Sequence, residues 1–208
     1  MQHNSLKQLK QKTQSGLTLA EVMVALAVIS ITLVISTNMS GVFQTGQISS
    51  YVQDLVGAIN LARSEAVARS TRVTVCKRKI NPTPNDITKE ECDAGGSRWD
   101  NGWIVFVDTN NDATIANHID SILRVHGPVK GQFDIDSTLT SYYVSFVANG
   151  FPKSLGGGIL MGSFLVCDQR GYDKYARRIV MSQTGNLRSE VASDPREATA
   201  KPDTCPST

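Results

Sequence analysis

The sequence predicts an α+β fold: one long N-terminal helix packed on an antiparallel β-sheet domain. Two observations predict it. From residue 17 to about Ser70 no proline interrupts a helix-forming, largely apolar run. From Arg72 onward the pattern changes to short alternating runs rich in Val, Ile, Phe, Tyr and Trp, separated by turn residues. No second helix of any length is evident.

The helix opens on GLTLAEVMVALAVISITLVIS, Gly16 to Ser36. From Leu17 to Ile35 every residue is apolar or small except Thr18, Glu21, Ser30 and Thr32. A membrane-spanning helix needs roughly 20 apolar residues at about 1.5 Å rise each. Residues 17–36 are therefore read as a transmembrane segment. The preceding flank carries Lys7, Lys10 and Lys12 and no acid. This places that end in the cytoplasm and the globular part on the far side of the membrane. Glu21 is the anomaly. An ionised side chain at the centre of a spanning helix costs on the order of 2.5–3.5 kcal/mol, so such a residue usually serves a function with a partner. The plain alternative is that Glu21, near the helix end, snorkels to the interface.

An ordinary secretory signal is cut after its apolar region, at small residues. Ser36, Ser40 and Gly41 offer such a place, but the pair Ser15-Gly16 stands before the apolar run, directly after the charges. Beyond Gln47, Tyr51, Leu55, Ile59, Ala62 and Ala66 recur at helical spacing and form one apolar stripe, with Arg63, Glu65 and Arg69 on other faces. The helix is thus expected over 17–70, its second half docked on a globular domain. Gly41, Gly46 and Gly57 are its weak points.

The globular part, 71–208, is long enough for one core. TRVTVC (71–76), WIVFV (103–107), ILRV (122–125), YYVSFV (142–147), SFLV (163–166) and RIVM (178–181) read as strands. NPTPND, DAGGS, DTNND, ANGFPKS, GGG and QTGN read as the turns between them. A polar tail begins after Ser189.

Four cysteines, Cys76, Cys92, Cys167 and Cys205, admit three pairings. In an oxidising compartment they are expected as disulfides. Local closure favours Cys76–Cys92, stabilising by about 3 kcal/mol, and Cys167–Cys205, which ties down the tail, by about 4 kcal/mol. A zinc site is disfavoured. No C-x-x-C pair exists, and His3, His118 and His126 are not at ligand spacing. The chain carries a net charge of +2. Without Lys7, Lys10 and Lys12 the balance is 18 cationic to 19 acidic side chains, net −1, so bulk charge gives no argument for nucleic-acid binding.

Three smaller signals stand out. Asp108, Asn110 and Asp112 have the D-x-N-x-D spacing that opens a calcium loop. Ile119 stands where a bidentate Glu belongs and Ala113 where the loop needs Gly, so a polar turn is the expected reading. Arg170, Lys174, Arg177, Arg178 and Arg188, with Tyr172 and Tyr175 between them, could contact DNA. Asp168 and Asp173 dilute that charge, and a solvated face is the expected reading. Ser182 and Thr184 have no His or acid at catalytic spacing, and no catalytic residues, cofactor or metal are expected.

The run Gly16-Leu17-Thr18-Leu19-Ala20-Glu21 resembles the prepilin signature, with Leu17 where Phe is commonest and Ala20 where a larger apolar residue is common. The resemblance implies a leader over residues 1–16, cleavage between Gly16 and Leu17 by prepilin peptidase, methylation of the new amino terminus, and pairing of Glu21 with the amino-terminal charge of a neighbouring subunit. The block Trp99-Asp100-Asn101-Gly102-Trp103-Ile104-Val105-Phe106-Val107-Asp108 resembles the W-x-x-G-W-x-V-F-x-D block of the FimT/FimU/GspH family of type IV minor pilins and pseudopilins. So do Phe146–Gly150, Phe164–Cys167 and the close on Gly185-Asn186-Leu187-Arg188. The resemblance implies a pilin-like fold, no enzymatic activity, and partners among other minor and major pilins. The expected role is a minor pilin that primes assembly near the tip of a type IV pilus and reaches the cell surface there. The alternatives are a GspH-type pseudopilin of type II secretion and a tip pilin that binds DNA for uptake. For the last, the family's G-R-x-R motif is matched only at Arg188, because Asn186 replaces the first Arg.

Overall fold

A computed structural model describes residues 16, 18–80, 90–95, 98–116, 119–139, 142–171 and 175–192, without the side chains of 34–40 and 42. One 51-residue helix, α1 (Leu19–Arg69), is followed by eight strands. These are β1 (Val73–Lys77), β2 (Trp103–Val107), β3 (Ser121–His126), β4 (Phe133–Ser137), β5 (Tyr143–Phe146), β6 (Gly162–Asp168), β7 (Arg177–Met181) and β8 (Leu187–Val191). The helix runs unbroken through Gly41, Gly46 and Gly57. The chain divides into two compact units, Met1–Val42 and Phe43–Thr208, so the boundary falls inside α1 rather than at its end.

In the first unit the helix begins on a cap. The Glu21 amide donates to the Thr18 hydroxyl (3.4 Å) and carbonyl (3.0 Å). Thr18-x-x-Glu21 has the spacing of a capping box, and the Glu21 carboxylate complements the positive end of the helix dipole. Along the apolar run the hydroxyls of Ser30 and Thr32 turn back to helix carbonyls, Ser30 to Ala27 at 2.8 Å and Thr32 to Ile29 at 2.8 Å. Leu19, Val22, Met23, Val24, Leu26, Val28, Ile29, Ile31 and Leu33 are all exposed. The helix is apolar on every side here, a pattern that belongs in lipid or among other helices. Among the described residues no helix is long and apolar enough to cross a membrane. The described side chains of the run end at Leu33, so its last part lies outside them.

The second unit is built on the other half of α1. Ile48, Val52, Leu55, Ala58, Ile59, Ala62 and Ala66 are buried, at the helical spacing the sequence displays. Tyr51 is only half-buried, its hydroxyl bonded to the backbone of Lys130. This stripe shares one core with two four-stranded antiparallel sheets. The first has order β3-β2-β1-β5 and the second β4-β6-β7-β8. β1, β2 and β5 are buried on both faces, which explains their near-continuous apolar sequence.

The W-x-x-G-W block joins the sheets. Trp99 meets Phe164 of β6 edge-on at 5.0 Å and donates its amide to the Ile135 carbonyl of β4. Trp103 opens β2 and stacks on His126 of β3 at 3.9 Å. Between them Gly102 holds φ +95°, and a Cβ there would lie 2.1 Å from the His126 carbonyl oxygen.

Six strands fall where the sequence places them, within a few residues. β4 and β8 are not foreseen by it. In β4 (FDIDS) two aspartates interrupt the apolar pattern, and in β8 (LRSEV) only Leu187 and Val191 are apolar. The reading of a tail from Ser189 is corrected, because β8 continues to Val191.

Candidate functional site

Glu21 is the site the sequence points to most strongly. It is the one ionisable side chain between Leu19 and Leu33 and occupies the first turn of α1. Its carboxylate is exposed among exposed apolar neighbours. Gly16 is exposed, with open space where a Cβ would be. Leu17 and residues 1–15 lie outside the described residues.

Cys76, at 0% exposure in β1, is bonded to Cys92. The bond ties β1 to residues that pair with its end, since Arg78 bridges Cys92 and the Lys79 amide donates to the Glu91 carbonyl at 2.9 Å. Arg78 and Glu90 form an ion pair at 2.6 Å on the same link. Cys167 is also disulfide-bonded, and Cys205 lies outside the described residues. Beside Cys76 lies a residue that sequence reasoning misses. Lys77 is 1% exposed and donates to the Gly95 carbonyl. Burial pushes its ammonium pKa down, against the pull of Asp93, Asp136 and Asp100. Its place in the alternation of β1 is the only clue.

The Asp108 turn spends its carboxylates on the protein. Asp108 accepts the Thr74 hydroxyl (2.8 Å) and the amides of Asp112 (3.1 Å) and Ala113 (3.2 Å). Asp112 accepts the Thr114 amide and hydroxyl, both at 2.7 Å. Asn111 and Ala113 hold φ of 60° and 55° to make the turn. Among the described residues no group of His, Cys, Asp or Glu is placed to hold a metal ion. Ser182 contacts Thr184 at 3.0 Å and accepts the Asn186 amide, closing the β7–β8 turn.

Among the described residues the basic side chains do not form one surface. Arg178 is 3% exposed in β7, so as a DNA contact it is corrected to a residue of the sheet's covered face. Arg170 is held by Asp168 at 2.7 Å and lies 4.0 Å over the Tyr175 ring. Arg177 shares a face with Val166 and Val191, and its Nη1 is buried. Arg188 is exposed and pairs with Glu190 at 3.0 Å. Alternation along β7 puts Arg177 on the opposite face from Arg178, which a linear count of charges cannot register. Tyr172, Asp173 and Lys174 lie outside the described residues.

Residues 51–185 match the family described as Type II transport protein GspH, and residues 11–37 match the Prokaryotic N-terminal methylation motif. No curated protein matches the chain. Among solved structures it is similar to the type IV minor pilin FimU of Pseudomonas aeruginosa. In one crystal form the TM-score is 0.50 at 20% identity, covering 72% of this chain and 92% of that one. In a second form it is 0.49 at 20% identity, covering 70% and 94%. The first likeness shows the fold, a long helix followed by antiparallel sheets. With the GspH match spanning more than half of its length and a methylation motif at its amino terminus, the chain belongs to the family described as Type II transport protein GspH.

Proposed function

We propose that this protein is a minor pilin of a type IV pilus that helps to prime filament assembly near the tip. The family is one of structural, membrane-anchored pilins that assemble with other pilins in filaments. The observation that carries the finer reading is the first half of α1. It is apolar on every side, its hydroxyls are turned inward, and it bears a single carboxylate in its first turn. Such a segment is stable in lipid or in a helical bundle, and Glu21 is tolerated there once it is paired.

In this reading residues 17–36 span the inner membrane with the globular part periplasmic. Prepilin peptidase cuts between Gly16 and Leu17, and the new amino terminus is methylated. Glu21 then meets the amino-terminal charge of a neighbouring subunit as the helix enters the filament. The place of Glu21 at the capping-box position of the first turn sets a control for the test. Glu21→Gln keeps a side chain able to cap and removes the charge. Both Glu21→Gln and Glu21→Ala are expected to insert and be processed normally and to be missing from sheared filaments. Incorporation of Glu21→Gln at wild-type levels would overturn the pairing role.

The second reading, a pseudopilin of type II secretion, is favoured by the description of the matching family. One experiment separates the two: count surface pili and assay secreted enzymes in a strain lacking this chain. Lost pili with normal secretion supports the pilus role. Intact pili with lost secretion supports the other.

A further inference from the structure

The two sheets end on four edge strands, β3 and β5 in the first, β4 and β8 in the second. An edge strand presents a row of unpaired amides and carbonyls, which stable proteins cover or charge. Three of these edges are managed in that way. Residues 151–153 lie along β5, with the Val147 amide donating to the Phe151 carbonyl and the Lys153 amide to the Ser145 carbonyl. On β4 the Ile135 carbonyl accepts the Trp99 amide. β8 carries the Arg188–Glu190 ion pair. β3 is different. It pairs with β2 on one side, and among the described residues no backbone–backbone bond outside that ladder involves residues 121–126.

The side chains of β3 make this edge adhesive. Val105 lies opposite Arg124 and Phe106 opposite Ile122, so Leu123 is an extra residue in a bulge. The bulge turns Ile122 and Val125 to the same face, that of Phe106 and Ile104. Ile122 and Val125 are 42% and 41% exposed, and Ile119 just before them is 57% exposed. The other face of β3 looks to α1. There Arg124 stands 4.0 Å from Asp54, the limit of an ion pair, with its side chain 45% exposed. His126 stands 3.6 Å from the same carboxylate.

We propose that β3 accepts an extended segment of a neighbouring pilin subunit as a fifth strand of the first sheet. The inference rests on the reading that this chain assembles with other pilins. The backbone decides the kind of occupant. A row of free amides and carbonyls is matched by another strand about 4.8 Å away, whereas a helix has already bonded its own. The side chains decide its pattern. Apolar residues fall beside Ile122 and Val125. A carboxylate falls on the side of Arg124 and meets a guanidinium that Asp54 holds only loosely. Backbone bonds supply the affinity, and these side-chain positions select the partner.

The test uses the full chain in detergent micelles and a synthetic eight-residue peptide as probe. The peptide alternates valine and threonine, with glutamate at one central threonine position. Excess peptide should slow amide hydrogen exchange in residues 121–126 by roughly tenfold or more. The same peptide N-methylated at every residue has no amide to donate and should protect nothing. Val125→Lys, which charges the edge, should abolish the protection while keeping the Cys76–Cys92 bond and sheet circular dichroism. Unchanged exchange in residues 121–126 overturns the proposal, as does equal protection by the methylated peptide or protection of β8 in place of β3. In cells Val125→Lys should be missing from sheared filaments that contain the wild type, and its incorporation at wild-type levels would also overturn the proposal. Filaments lacking even the wild type would refute the filament reading, and the peptide alone would then decide strand addition.

Discussion

Gly102→Ala tests whether the two sheets are held in register by the turn between Trp99 and Trp103. Gly102 holds φ +95°, outside the small left-handed region that other residues tolerate, and an alanine forced there carries about 1–3 kcal/mol of backbone strain. The new Cβ would lie 2.1 Å from the His126 carbonyl oxygen and 2.6 Å from that of Gly127. Both are backbone atoms. His126 cannot retreat easily, because it pairs with Trp103 in the β2–β3 ladder and stacks on its ring. Relieving such overpacking costs about 1–3 kcal/mol more. The sum, about 2–6 kcal/mol, is a large part of a typical domain stability of about 5–15 kcal/mol. Urea unfolding of the micelle-bound chain can be followed by the fluorescence of Trp99 and Trp103, which are 1% and 0% exposed. With a slope of about 1–3 kcal/mol per molar, the midpoint should fall by about 1 M or more. Gly156→Ala is the control, since Gly156 has open space and no positive φ. Its midpoint should stay within the scatter of a neutral surface change, about 0.5 kcal/mol. If Gly102→Ala unfolds with its control, the reasoning about this turn is wrong.

Two further outcomes are expected. Replacing Cys76 and Cys92 together with serine removes a cross-link spanning 16 residues and should lower stability by about 3 kcal/mol; unfolding with and without reductant checks it, since wild type should lose a similar amount when reduced. Asp108 has its carboxyl pKa raised by burial, although Thr74, Asp112, Ala113 and Arg72 pull it back. A raised folded pKa means that the group favours folding while protonated. Its contribution is present below the ordinary value of 3.8 and is lost as pH rises through the higher folded value. Asp108→Asn should flatten that part of the stability–pH curve, and a curve of unchanged shape would remove Asp108 as its cause.

Much of this architecture is written at short range. The stripe of α1 and the strand WIVFV are legible because one period dominates each: 3.6 residues in the helix, an unbroken apolar run in a strand buried on both faces. The Cys76–Cys92 bond is the local pairing. The parts that escape depend on neighbours far along the chain. FDIDS does not read as a strand because Asp134 and Asp136 interrupt its apolar pattern, and only pairing with β6, Asp134 opposite Cys167 and Asp136 opposite Leu165, makes it one. LRSEV fails for the same reason. The basic cluster looks continuous in the sequence, but residues adjacent in a strand point to opposite faces, so Arg177 and Arg178 part company. Glu21 is legible as an anomaly, but its place in the helix cap comes from the geometry of Thr18.

The order of strands in the first sheet has a temporal consequence. β1 lies between β2 and β5, with Val73 opposite Phe146. Ribosomes deliver about 5–20 residues each second, so the 73 residues from one partner to the other (146 − 73) take roughly 4–15 s to appear. Throughout that interval one flank of β1 has no partner strand. The core stripe of α1, which emerges earlier still, waits with it. A nascent chain of this kind is open to capture by wrong partners until β5 arrives to close the sheet.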